Sequence, residues 1–167
     1  MEREVDVEAT ACPICASNRS ADGGDDPWFV ARLSTGYVRL ARTQYYRGAT
    51  FFAARACVAE LHDLVSPVRQ VHLTEMADVA AAVFDAFSAR KMNYEALGNT
   101  VPHLHWWLTP RPADDPVPQG PIWMNPDFLE ADRTGGAQPD EAGRDELKAR
   151  LLGAIEARGL KVERAFR

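Results

Sequence analysis

The longest stretch of this chain governed by one periodicity runs from Ser66 to Phe87. Ser66-Pro67 reads as an N-cap followed by proline at the first helical position, and Val68, Val71, Met76, Val79, Val83 and Phe87 recur at helical spacing. The segments around it are short and strand-forming: Tyr37–Ala41, Ala49–Cys57, Met92–Leu97 and Pro102–Pro110. A last helix is expected over Glu141–Arg158, with Leu147, Leu151 and Ile155 on one stripe and charges elsewhere. This order predicts an α+β fold, an antiparallel sheet with one central helix and a C-terminal helix.

A length of 167 residues suits a single domain over 1–167, long enough to bury a sizeable core. Residues 1–27 form a polar N-terminal segment, and Asn18–Pro27 lacks any period and reads as a loop. Seven of the 11 prolines fall between Pro102 and Pro126, so residues 112–140 are expected to wrap the surface as an ordered loop anchored by Ile122, Trp123, Met124 and Phe128. The terminal helix is then placed over 141–158. Nineteen Lys plus Arg against 24 Asp plus Glu leave a net charge of −5, which argues against a duplex nucleic-acid or membrane-surface partner. With no apolar export core at the N-terminus and no membrane-length apolar run, the expected location is cytoplasmic.

The chain has four histidines, and two of them alternate in Pro102–Pro110 (PHLHWWLTP). Strand alternation puts His103, His105 and Trp107 on one face, with Leu104, Trp106 and Leu108 on the other. Taken alone, the pair is as readily a solvent-facing accident as a catalytic or metal site. Its flanks carry more. Lys91–Arg111 (KMNYEALGNTVPHLHWWLTPR), together with Cys57–Leu64 (CVAELHDL), resembles the signature region of the histidine-triad (HIT) family, nucleotide hydrolases and transferases with three alternating histidines. The resemblance extends over roughly Cys12–Trp123. His103 and His105 match the first two histidines, while Trp107 stands at the third.

The resemblance implies a compact α+β homodimer that binds a nucleoside phosphate against this strand. It makes His105 the nucleophile that attacks the α-phosphorus and forms a nucleotidyl-histidine intermediate. It also implies nucleotide contacts from Asn93, Asn99, Thr100, Trp107, Gln44 and Arg47. Asn99 beside Gly98 is equally readable as a turn residue, and Arg111 as a distal-phosphate contact or a surface ion pair. Indole at position 107 has one N–H donor and no protonatable nitrogen. By analogy with oxyanion-hole donors, the loss of an imidazole there costs about 2.7–4 kcal/mol of transition-state stabilisation. Three functions stay open: hydrolase of a dinucleoside polyphosphate or nucleoside phosphoramidate, nucleotidyltransferase or phosphorylase, and catalytically weak nucleotide-binding protein.

Cys12-Pro-Ile-Cys15 has the gap that lets two thiolates reach one ion, although a redox pair or two unrelated buried cysteines would share it. Bacterial proteins resembling this one pair such cysteines with a histidine before the helix and the first histidine of the triad. Cys57 stands where that histidine would be, so the resemblance implies a structural zinc on Cys12, Cys15, Cys57 and His103. The plain alternative for Cys57 is a small apolar residue at a strand end. His62 and His72 are second choices, with His72 expected at the helix surface or edge.

Overall fold

A computed structural model describes residues 11–166; residues 1–10 of the expected N-terminal segment lie outside it. Six strands form one sheet: β1 (Phe29–Arg32), β2 (Gly36–Leu40), β3 (Thr50–Ala54), β4 (Lys91–Glu95), β5 (His105–Arg111) and β6 (Arg164–Ala165), in the order β4-β5-β3-β2-β1-β6. Every neighbouring pair is antiparallel. The helices are α1 (Pro13–Gly23), α2 (Ser66–Ala86), α3 (Pro126–Thr134) and α4 (Glu141–Ala157). The expected α+β class holds, as do the central and terminal helices, each within a residue or two.

Helices α2 and α4 pack on one face of the sheet and on each other. Val79, Val83, Leu151 and Ile155 are fully buried there against Val38, Phe52 and Leu108. Each such side chain contributes about 1.5–3 kcal/mol on leaving water. His72 also points into this core, contrary to the surface position expected from the sequence. Its ring stacks on Phe52 with centroids 5.0 Å apart. Trp106 Nε1 donates to His72 Nε2 at 3.1 Å. The remaining ring proton therefore lies on Nδ1, 3.1 Å from Thr35 Oγ1, and the Thr35 hydroxyl in turn donates to Glu75. A polar side chain can sit fully buried when both its nitrogens are engaged in this way, and neither nitrogen is left for a metal.

Two segments expected as loops are helical. In α1, Ile14, Cys15, Asn18 and Ala21 form the buried stripe. The polar Asn18 hides that period in the sequence, yet its Nδ2 donates to Ala54 O at 3.2 Å. Pro13 opens the helix, and Gly24, at φ 90°, closes it in the left-handed region open to glycine. Within 112–140, Ile122–Met124 makes a 3-10 turn and Pro126–Thr134 forms α3. Asn125 caps α3, accepting from the Asp127 and Phe128 N–H groups at 3.0 and 3.4 Å. The density of prolines suggested irregular backbone, but Pro126 occupies the first turn, where no N–H is needed.

The opposite sheet face is laid out by register. His105 lies opposite Ala53, which lies opposite Tyr37; Trp107 lies opposite Phe51, which lies opposite Arg39. Directly opposed residues project to the same side, so these side chains share the face turned away from α2 and α4.

Candidate active site and metal centre

That face floors a cleft of about 810 Å³, closed by α1 on one side and by the 3-10 turn and α3 on the other. Ile122 and Phe128 pack with Tyr46 and Ala49 to make the far wall. Asn125 fixes this wall by donating from Nδ2 to the Tyr46 hydroxyl at 3.0 Å. The segment expected as a surface loop is thus part of the site.

His105 lies on the cleft floor, 9% exposed. Its Nδ1 is 2.6 Å from the carbonyl oxygen of His103. A carbonyl only accepts, so Nδ1 carries the proton and Nε2 keeps a lone pair. Phe51 packs beside the ring at a centroid distance of 4.9 Å and meets Trp107 edge-on at 4.8 Å. Trp107, Asn99 and Thr100 also line the cleft.

Three other residues implied as nucleotide contacts are engaged elsewhere. Gln44 bridges the β2–β3 connection: its Nε2 donates to the carbonyls of Ala41 and Ala49 at 2.7 and 3.0 Å, and its Oε1 accepts from Gly48 N. Arg47 is exposed and pairs with Glu146 at 2.9 Å. Asn93 accepts from Arg111 Nη1 at 2.6 Å. Arg111 is buried and its remaining donors hold Asp115, Gly120 O and Val117 O, so it anchors the proline-rich segment and is not a surface ion pair. Lining residues that the sequence reading missed include Asp26, Arg39, Arg42, Thr43 and Asp132. Thr43 donates to Asp132 at 2.5 Å across the cleft wall. Asp132 was missed because α3 was not read as a helix, and Asp26, Arg39, Arg42 and Thr43 because only the tertiary fold brings them to one cleft.

Beside His105, the ligand atoms of Cys12, Cys15, Cys57 and His103 all lie within 4.8 Å of one another. His103 Nδ1 is 3.4 and 3.6 Å from the Cys12 and Cys15 sulfurs. Tetrahedral zinc with Zn–S near 2.3 Å and Zn–N near 2.0 Å requires ligand separations of about 3.5–3.8 Å, and the two His103–thiol distances are close to that spacing as they stand. The opposite ring atom, His103 Nε2, donates to Ala54 O at 2.9 Å, leaving the Nδ1 lone pair for a metal. Burial lowers the His103 pKa, which favours the neutral imidazole a metal requires. Burial, with the Cys57 and Cys12 sulfurs adding to it, pushes the Cys15 thiol up to about 12. Packed thiols of this kind cannot all ionise without a cation between them. The set fits structural zinc, and four protein ligands leave no open position. His62 is exposed and stands outside the cluster.

One residue joins the two centres: His103 turns its ring to the thiols and its carbonyl to His105. Fold and site thus define a small α+β protein with a preset imidazole beside a Cys3His metal centre. No family model and no curated protein matches the chain, but solved structures do. A histidine-triad protein from Sinorhizobium meliloti aligns at 25% identity and TM-score 0.61, over 82% of this chain and 93% of its own. One from Marinobacter aquaeolei aligns at 25% identity and TM-score 0.61, over 77% and 88%. A zinc-bound histidine-triad family protein from Mycobacterium smegmatis aligns at 18% identity and TM-score 0.62, over 89% and 96%. In fold the chain is similar to these histidine-triad family proteins.

Proposed function

We propose that the protein is a nucleotide-processing enzyme that transfers the nucleotidyl group of a nucleoside 5′-phosphate derivative through His105. The observation that carries this reading is the His105 Nδ1–His103 carbonyl hydrogen bond, which leaves Nε2 as a lone-pair donor on the floor of the cleft. Nε2 forms a bond to the α-phosphorus while the P–O or P–N bond to the leaving group breaks. The leaving group takes the bonding electrons and a proton from solvent. Water then forms a P–O bond as the N–P bond breaks, releasing the nucleoside monophosphate and restoring His105. Asn99 and Thr100 supply uncharged hydrogen-bonding groups for sugar or phosphate, and Trp107 offers a flat face and one N–H.

The partner is a small nucleotide, and the second copy expected in a homodimer has a free strand edge to use: β4 ends the sheet and presents Tyr94 at its surface. Three free cysteines suit a reducing, cytoplasmic setting. Among the described residues no helix is long and apolar enough to cross a membrane.

The test is release of AMP from diadenosine tetraphosphate and from an adenosine phosphoramidate, beside a His105→Ala control. Release that falls at least about a thousandfold in the variant, with nucleotide affinity kept, is expected for a nucleophile. Equal release by both proteins overturns the assignment. Bound nucleotide without release by the wild type favours the binding-protein reading, for which the observation is indole in place of the third imidazole.

A further inference from the structure

Indole at position 107 cannot give up a proton near neutral pH, so the proton that a departing atom needs comes from another group in the cleft or from solvent. Three carboxyl groups line the cleft: Asp26, Glu95 and Asp132. Asp26 is committed to Arg39, whose Nε donates to it at 2.6 Å, and to Trp28 N at 2.9 Å. Asp132 accepts from the Thr43 hydroxyl. Glu95 is held by nothing. Among the described residues none donates a hydrogen bond to its carboxyl group and none forms an ion pair with it.

The place of this free acid relative to His105 is set by register. Glu95 is half-buried at the end of β4 and lies directly opposite Trp107, which follows His105 by two residues on β5. Glu95 and His105 are therefore diagonal neighbours on one sheet face, about 7–8 Å apart, a span that leaves room for one phosphoryl group between their side chains. Burial raises the Glu95 carboxyl above its ordinary value, with the Arg111 charge acting against the rise. Arg90 and Lys91 share the groove on the far side of Glu95, where Arg111 is already committed to Asp115 and Asn93. An anionic phosphate bound beside a lone carboxyl disfavours its ionised form further. As an acid the group donates a hydrogen bond to the substrate, where a carboxylate would repel it.

We propose that Glu95 is the general acid of the reaction, giving its carboxyl proton to the atom that leaves as His105 attacks. This deepens the nucleotidyl-transfer reading, rests on it, and puts Glu95 in the place that solvent otherwise fills. As Nε2 bonds to the α-phosphorus, the leaving atom takes the bonding electrons and the Glu95 proton, and a carboxylate remains. That carboxylate then accepts a proton from the water that attacks phosphorus, the N–P bond breaks, and both side chains return to their starting forms. The preferred substrates are those whose leaving atom is too basic to depart unprotonated, above all the amine of a phosphoramidate.

Two measurements on the full, zinc-loaded chain test the proposal. The first compares adenosine phosphoramidate with the p-nitrophenyl ester of AMP, whose phenolate departs without a proton. In Glu95→Gln, which keeps the shape and breaks no pair, kcat/KM should fall at least about a hundredfold for the phosphoramidate and less than about threefold for the ester. An equal fall for both, or none for either, overturns the proposal. The second is calorimetric titration of AMP in buffers of different ionisation enthalpy, where the wild type should take up a proton on binding that Glu95→Gln does not. Equal uptake by both proteins overturns it. If the wild type turns over neither substrate, the nucleotidyl-transfer reading fails. The titration then decides on Glu95 alone: uptake that depends on it upholds a proton-holding acid at the phosphate, and absence of AMP binding overturns it.

Discussion

Single side chains decide both the chemistry and the pH response. Trp107 lines the cleft two residues beyond His105, where imidazole would offer a protonatable donor. Trp107→His should therefore raise kcat on the same nucleotide substrates by about tenfold or more, with initial rates as the check; a fall would mean that the indole itself contributes to binding or closure. His72 sets a stability limit on the acid side. Burial lowers its pKa below the usual histidine value, despite the opposing Glu75 charge and the Thr35 contact. The unfolded chain thus binds the proton more readily than the fold does. The stabilisation is complete above the unfolded value of about 6.5 and is lost as pH falls below it, at up to about 1.4 kcal/mol per pH unit for one proton. Urea midpoints between pH 7.5 and 5.5 should fall, and His72→Gln should flatten that dependence. An equally steep profile in the variant would assign it to other groups.

At the scale of elements, segments with a strong apolar period were legible and those with a broken one were not. Val79 and Val83 mark α2, and Leu147, Leu151 and Ile155 mark α4, because apolar residues recur at helical spacing in each even though His72 and Lys148 are buried beside them. Helix α1 was missed because Asn18 interrupts its stripe, and β1 and β6 because they have four and two residues. Helix α3 buries none of its own residues and sits among prolines, although Asn125, Pro126 and Gly135 mark its two ends. That omission hid part of the cleft wall. Within the site, His103 and His105 showed as an alternating pair and Cys12 and Cys15 as a CxxC, while Cys57, and the reading of all five as site residues, came from the family resemblance. Arg39 and Asp132 were not legible, since only the tertiary fold brings them to the cleft. Leu151→Ala should cost about 2–5 kcal/mol in chemical denaturation. Asn125→Ala should cost about 1–3 kcal/mol, since it removes a cap and leaves buried donors unpaired, and by loosening the wall it should raise KM more than it lowers kcat.

In the whole molecule, the Cys3His centre ties three distant pieces of chain together: the start of α1, the segment after β3 and the entry to β5. His103 is both a ligand for a zinc ion at this cluster and, through its carbonyl, the partner of the His105 ring, so under the proposed function zinc binding would couple stability to catalysis. Chelation should lower the melting temperature by at least about 4 °C, for a loss of about 2 kcal/mol or more, and should reduce turnover as well. Cys57→Ser should lower the zinc content below one per chain by atomic absorption. The central claim is that His105 carries the nucleotidyl group. Its most direct test is intact-mass spectrometry of enzyme quenched during turnover of diadenosine tetraphosphate. The account predicts a mass increment of one nucleotidyl group, localised by peptide mapping to His105 and absent from His105→Ala. Turnover with no such adduct, or an adduct on another residue, would contradict it.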